Sequence, residues 1–99
     1  MKLIIAIVRP HTLDKIVVAL EDIENFPGIT ITDVEGFGQR LQTAGYDSLN
    51  PFKLKKQIEI ACNDDMVEPI VTAIREHAHT GIKGDGIIVV LPIENAVLI

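Results

Sequence analysis

Thr80-Gly81-Ile82-Lys83-Gly84-Asp85-Gly86 is the stretch whose residue types most plainly suggest chemistry. Closely spaced glycines can turn several backbone N–H groups into one concavity, which suits phosphate oxygens. The same glycines also suit a helix C-cap followed by a turn, and the loop alone leaves both readings open. It matches neither G-x-x-x-x-G-K-[ST] nor the dinucleotide fingerprint. A P-loop runs from strand to helix, whereas this stretch runs from a helical pattern into an apolar run. The residue after its last glycine is Ile87, not a lysine.

Other reactive side chains form no set. His77 and His79 are two apart, His11 is distant, and no cysteine or carboxylate completes a metal-ligand spacing. They read as surface or helix-end residues, and no metal site is expected. Cys62 is the single cysteine, cannot form an internal disulfide, and sits in an apolar pattern as a reduced core residue. No Ser/His/Asp or Cys/His arrangement is present, so no catalytic residue is assigned.

The elements that would hold such a loop follow from hydrophobic spacing. Lys2 to Val8 is a short, isoleucine-rich run that reads as a strand covered on both faces, or reaching a subunit interface. Thr12 is placed to cap a helix in which Leu13, Ile16, Val17 and Leu20 share a face, stopped by Phe26-Pro27-Gly28. Ile29 to Gly38 reads as a half-buried strand, with Ile29, Ile31 and Val34 pointing one way. From Gln39 to about Phe52 the pattern disappears into a loop, which in so small a domain suggests function.

Gln57 to Cys62 alternates as a strand. Asp65 and Glu68 resemble a capping box, and Val67, Ile70, Val71 and Ile74 form a buried helix face. Gly86 to Pro92 is a last long strand, and Ile93 to Ile99 is read as a short edge strand. The order β-α-β, long loop, β-α-β specifies one α+β domain over residues 1–99, a ferredoxin-like βαββαβ sandwich with both helices on one face. The other face would be naked unless another subunit covers it, so a homo-oligomer is expected.

Composition excludes several classes. Fourteen acids against nine bases give a net charge of −5, which argues against gripping nucleic-acid phosphates. An RNA-binding sheet of the RRM type needs aromatics on its central strands, and the three Phe and one Tyr lie elsewhere. The start has an unbroken run of six apolar residues, Leu3 to Val8, before Arg9, too few for a signal-peptide core or a membrane span. The chain reads as cytoplasmic, with no membrane insertion.

Arg9-Pro10, Gly36-Phe37-Gly38, Asn63-Asp64-Asp65 and the Thr80–Gly86 stretch lie at spacings that resemble the PII family of nitrogen-regulatory signal proteins, from first strand to last. The resemblance implies a homotrimer that binds ATP or ADP in clefts between neighbours and projects a T-loop, here about residues 39–55, onto a target protein. It implies that Ile7, Thr30 and the backbone near Ala61 meet adenine, and that Gly36, Phe37 and Gly38 form the wall at the T-loop base. Thr80, Gly81, Gly84, Asp85 and Gly86 would form the B-loop around the phosphates. Lys55 would match the lysine that meets 2-oxoglutarate in family members sensing it, beside Gln39 and Arg40.

The departures from that pattern carry equal weight. Ile87 stands where a lysine is usual, Leu98 stands at the first of two C-terminal arginine places, and the chain ends at Ile99 before the second. Each lost charge-assisted hydrogen bond would remove roughly 1.5–3 kcal/mol, and a triphosphate would suffer most. AMP or ADP is therefore expected to be favoured over ATP, with Arg40 and Lys83 compensating in part.

Gln39-Arg40 inverts the usual order, which puts a Gln-chelated Mg²⁺ with 2-oxoglutarate in doubt. Tyr46 lacks the neighbours of the uridylylated segment and reads as a contact at the loop tip. Bicarbonate against Lys55 or Arg40 is one effector consistent with these changes. The target would be a transporter or metabolic enzyme. A nitrogen regulator sensing ATP and 2-oxoglutarate, or a regulator tied to metal efflux, stays open beside it. An acylphosphatase, which shares the fold, would need a glycine loop after the first strand, and Arg9-Pro10-His11 offers none.

Overall fold

The computed structural model describes residues 1–37 and 52–99. Four strands form one antiparallel sheet in the order β2-β3-β1-β4: β1 Lys2–Val8, β2 Thr30–Gly36, β3 Lys53–Cys62 and β4 Gly86–Pro92. Helices α1 (Leu13–Glu21) and α2 (Val67–Ala78) follow β1 and β3, each entered through a short 3-10 turn. This is the βαββαβ order, and the chain is an α+β sandwich.

One face of the sheet makes the core. Ile4, Ala6 and Val8 alternate along β1, Ile58, Ile60 and Cys62 along β3, and all six are buried. Ile16 and Leu20 of α1 and Ile70 and Ile74 of α2 close over them with no exposed surface. Each such side chain contributes roughly 1.5–3 kcal/mol on leaving water. Leu13, Val67 and Val71 pack at the margin, so both helical faces inferred from spacing carry the core. Burial raises the Cys62 thiol pKa, as suits a packed, unreactive cysteine.

Among the described residues, no helix covers the opposite face. Leu3, Ile5 and Ile7 of β1 stand beside Leu91, Val89 and Ile87 of β4 in successive pairs. Ile87 is 58% exposed, Val89 39% and Leu91 38%. The near-continuous apolarity of β1 therefore has two causes: one set of residues fills the core and the other forms an uncovered apolar stripe.

Several local expectations are corrected. Thr12 does not cap α1 with its side chain; it is fully buried, and its Oγ1 donates to the Arg9 carbonyl at 2.8 Å. Helix α1 ends at Glu21, before Phe26-Pro27-Gly28, because turn bonds Ile23 N to Leu20 O and Phe26 N to Ile23 O take over and Asn25 adopts φ +62°. Asp65 caps nothing: it lies inside the 3-10 turn Asp64–Met66, and α2 starts at Val67.

Three further corrections concern strands. Ile31 is 42% exposed, since β2 is an edge strand, and Val34 points to the other face from Ile31. Residues 93–99 form no strand; after Ile93 N bonds Met1 O at 3.2 Å, β1 offers nothing further to pair with. Strand β3 begins at Lys53, so Lys53, Leu54 and Lys55 belong to the sheet.

Gly86 marks the tightest approach in the fold. Its φ is +140°, and a Cβ there would meet the Ile7 carbonyl oxygen at 2.0 Å. Gly28 has φ +114° but open space around it. Gly86→Ala is expected to cost at least about 2 kcal/mol in urea unfolding, through backbone collision added to dihedral strain. Gly28→Ala should cost about 1 kcal/mol, from strain alone.

Candidate functional site

The stretch from His79 to Gly86 leaves α2 and returns to the sheet beside the end of β1. The pairing of Val8 with Gly86 brings Arg9 next to Asp85, 76 positions away in sequence. Arg9 Nε donates to Asp85 Oδ1 at 3.2 Å, and its Nη2 donates to the Lys83 carbonyl at 3.0 Å. The Thr80 N–H donates to Asp85 Oδ2 at 2.8 Å, and the Thr80 hydroxyl donates to Oδ1. That hydroxyl also accepts the Ile82 N–H at 3.2 Å.

Asp85 is therefore the hub of the loop. The Thr80 hydroxyl, the Thr80 backbone N–H and Arg9 together lower its pKa to about 2, partial desolvation opposing them. Its carboxylate serves the loop's own backbone.

The loop's carbonyls are also committed inward. Lys83 O faces Arg9, and Gly84 O accepts from Lys55 Nζ at 3.3 Å. Across a trans peptide the carbonyl and the following N–H point in opposite directions, and no cis bond occurs among the described residues. The N–H groups of Gly84 and Asp85 thus point away from the two cations. Gly84, with φ +97°, is at ease in such a turn. Outward-facing adjacent N–H groups are the elements of an anion nest.

The sheet register sorts the other sequence-inferred residues into two groups. On the helix-free face, Ile7 shares a row with Gln57 and Ile87, adjacent to the loop. Lys55 follows at the same end, and Gly36 pairs with Lys53 just beyond. Phe37 stacks on Phe52, ring centroids 5.5 Å apart and tilted by 43°, closing the base of the stretch between β2 and β3. Gly38, Gln39, Arg40 and Tyr46 lie outside the described residues. Lys83 presents its carbonyl to Arg9 and an exposed side chain to solvent.

Thr30 and Ala61 stand elsewhere. Ala61 pairs with Leu3, four residues from Ile7, or about 13 Å along the strand. Both line a separate cavity of about 750 Å³ with Met1, Gly28, Glu59 and Leu98. One chain thus holds the loop group and the Thr30–Ala61 group at different ends of one face. Sequence reasoning missed the bracing role of Arg9. Its signal is a charge complementary to Asp85, invisible until the β1–β4 register is known.

Among the described residues, no three His, Cys, Asp or Glu side chains gather as a metal site. His77 Nδ1 lies 2.9 Å from the Ala73 carbonyl within its own helix. No helix among those residues is long and apolar enough to cross a membrane.

A family model described as "Nitrogen regulatory protein P-II" matches residues 1–99. The chain belongs to the P-II family. It is 42% identical to "Nitrogen regulatory protein P-II" of Bradyrhizobium diazoefficiens, over all of this chain and 91% of that one. It is 41% identical to the protein of the same name from Azospirillum brasilense, with the same coverage. "Nitrogen regulatory protein GlnK2" of Haloferax mediterranei is 37% identical over 97% of this chain and 80% of its own length. As a P-II protein the chain has a regulatory signalling role and is not an enzyme.

The state of the P-II loop should follow Asp85. A carboxylate whose folded pKa is depressed contributes its stabilisation above its ordinary value and loses it as pH falls through the folded value. The Thr80 amide proton shift is expected to stay constant down to about pH 4 and to titrate with a midpoint near 2. In Asp85→Asn that transition should vanish from the NMR titration.

Proposed function

We propose that this chain assembles as a homotrimer that clamps an adenine nucleotide between neighbouring copies and signals the bound state to a target protein. The observation that carries the reading is the division of the ligand residues. Ile7, Gly36, Phe37 and the loop Thr80–Gly86 lie at one end of the helix-free face, and Thr30 and Ala61 lie at the other. A ligand that needs both groups requires two chains, the loop group from one and the Thr30–Ala61 group from the next. The uncovered stripe of Leu3, Ile5, Ile7, Ile87, Val89 and Leu91 supplies a reason for chains to meet on that face.

The loop supports the phosphate end of the reading. Its N–H groups at Gly84 and Asp85 face outward while Lys83 O and Gly84 O are held inward. Cation supply favours fewer phosphates. Ile87 and Leu98 are apolar where the P-II pattern has basic residues, and Leu98 sits in the cavity with Thr30 and Ala61. We therefore assign ADP or AMP over ATP. The T-loop, ending where β3 begins at Lys53, would carry the signal to a transporter or metabolic enzyme. Lys55, with Gln39 and Arg40, would meet a small anion such as bicarbonate. The mechanism would be population shift, since a ligand moves loop states only by its differential affinity for them.

Complementation tests the division directly. Gly84→Val blocks one group and Ala61→Arg the other; each homotrimer should bind no ADP by calorimetry. Co-expressed, they should recover one competent cleft in each mixed trimer. Failure to recover would place both groups in one chain's site or in none.

Val89→Glu should convert trimers to monomers in sedimentation and abolish ADP binding together, because like charges would be forced into an apolar interface. Titration of the unaltered chain should rank AMP and ADP above ATP. The opposite order would refute the nucleotide assignment.

A further inference from the structure

We infer that Arg9 is the positioning residue of the phosphate-facing loop, holding its donors outward without touching the ligand; this rests on the nucleotide reading above. Arg9 reaches two separate points of the loop with one planar group, Asp85 Oδ1 through Nε and Lys83 O through Nη2. A guanidinium presents its donors in a fixed fork, so the two contacts set the relative orientation of residues 83 and 85. The Asp85 carboxylate then ties back to Thr80 at the start of the loop. The whole turn is thus referred to one side chain at the end of β1.

That side chain has a rigid base. Arg9 lies in extended backbone with φ −67° and ψ 139°, immediately before Pro10. Its carbonyl accepts from Thr12 N at 3.1 Å and from Thr12 Oγ1 at 2.8 Å, and Thr12 is fully buried. The fixed base of the arm therefore comes from the core, through Thr12. This explains why Thr12 leaves α1 uncapped.

Charge completes the case. A phosphate at the outward N–H groups of Gly84 and Asp85 would lie near the Asp85 carboxylate. Arg9 sits against that carboxylate, both side chains about three-quarters hidden, at 24% and 21% exposure. His79 Nδ1, 3.5 Å from Oδ2, adds a second cation only when protonated. With Ile87 and Leu98 apolar, neutralising Asp85 through Arg9 is how the loop stays receptive to an anion.

A salt bridge that merely stabilised the fold would share these contacts, so the test separates ligand parts. Arg9→Met is expected to weaken ADP about tenfold or more, while adenosine, which lacks phosphate, changes less than about twofold. Arg9→Lys should recover only part of the loss, because one ammonium cannot hold both points. Asp85→Asn added to Arg9→Met should restore some ADP affinity by removing the unneutralised charge.

Equal weakening of ADP and adenosine, or no weakening of either, would overturn the inference. Amide exchange in the ligand-free protein reads the brace independently: Arg9→Met should speed exchange at Ile82 to Asp85, and unchanged exchange would also overturn it. An unaltered chain that binds no adenylate, with exchange still responding to Arg9→Met, would instead overturn the nucleotide reading and leave the brace standing.

Discussion

Antiparallel pairing of β1 with β4 is the constraint on which the rest of the molecule depends. It runs from Lys2 against Pro92 to Val8 against Gly86, joining the two ends of the chain. The last pair admits only a glycine, because the Ile7 carbonyl occupies the space a Cβ would take. The same register then delivers Arg9 to Asp85. A shift of one residue would exchange the core face of β4 for its uncovered face and separate arm from loop. Fold, apolar stripe and loop geometry are thus one decision made at one strand pair.

The loop shows how a short glycine-rich segment acquires a defined shape without being buried. Glycines make the path accessible, but they also make many others accessible. Selection among them falls to polar contacts: Arg9 at the end of β1 and Lys55 from β3 reach in from outside, and Thr80 ties the start of the loop to Asp85. Contacts of this kind are weaker and more reversible than core packing.

Much of this architecture was legible in the residues. Isoleucine and valine spacing marked both helix faces, and β1 and β4 were delimited as they stand. Helix starts were less readable. Thr12 and Asp65 have the chemistry of caps, yet 3-10 turns precede both helices and divert those side chains. The start of β3 was hidden because Lys53-Leu54-Lys55-Lys56 carries little apolar signal on its own; its pairing with β2 makes it a strand. The contact between Arg9 and Asp85 was not legible, because the two lie 76 positions apart in sequence.

Phe37 and Phe52 meet across the ends of the stretch that joins β2 to β3. With those ends already fastened, the entropy of closing the connection depends only weakly on its length, about 0.6 kcal/mol for each doubling. Changing the length of the intervening stretch would therefore cost the sandwich little in closure entropy. The aromatic clasp thus separates the cost of the connection's length from the stability of the two strands it joins.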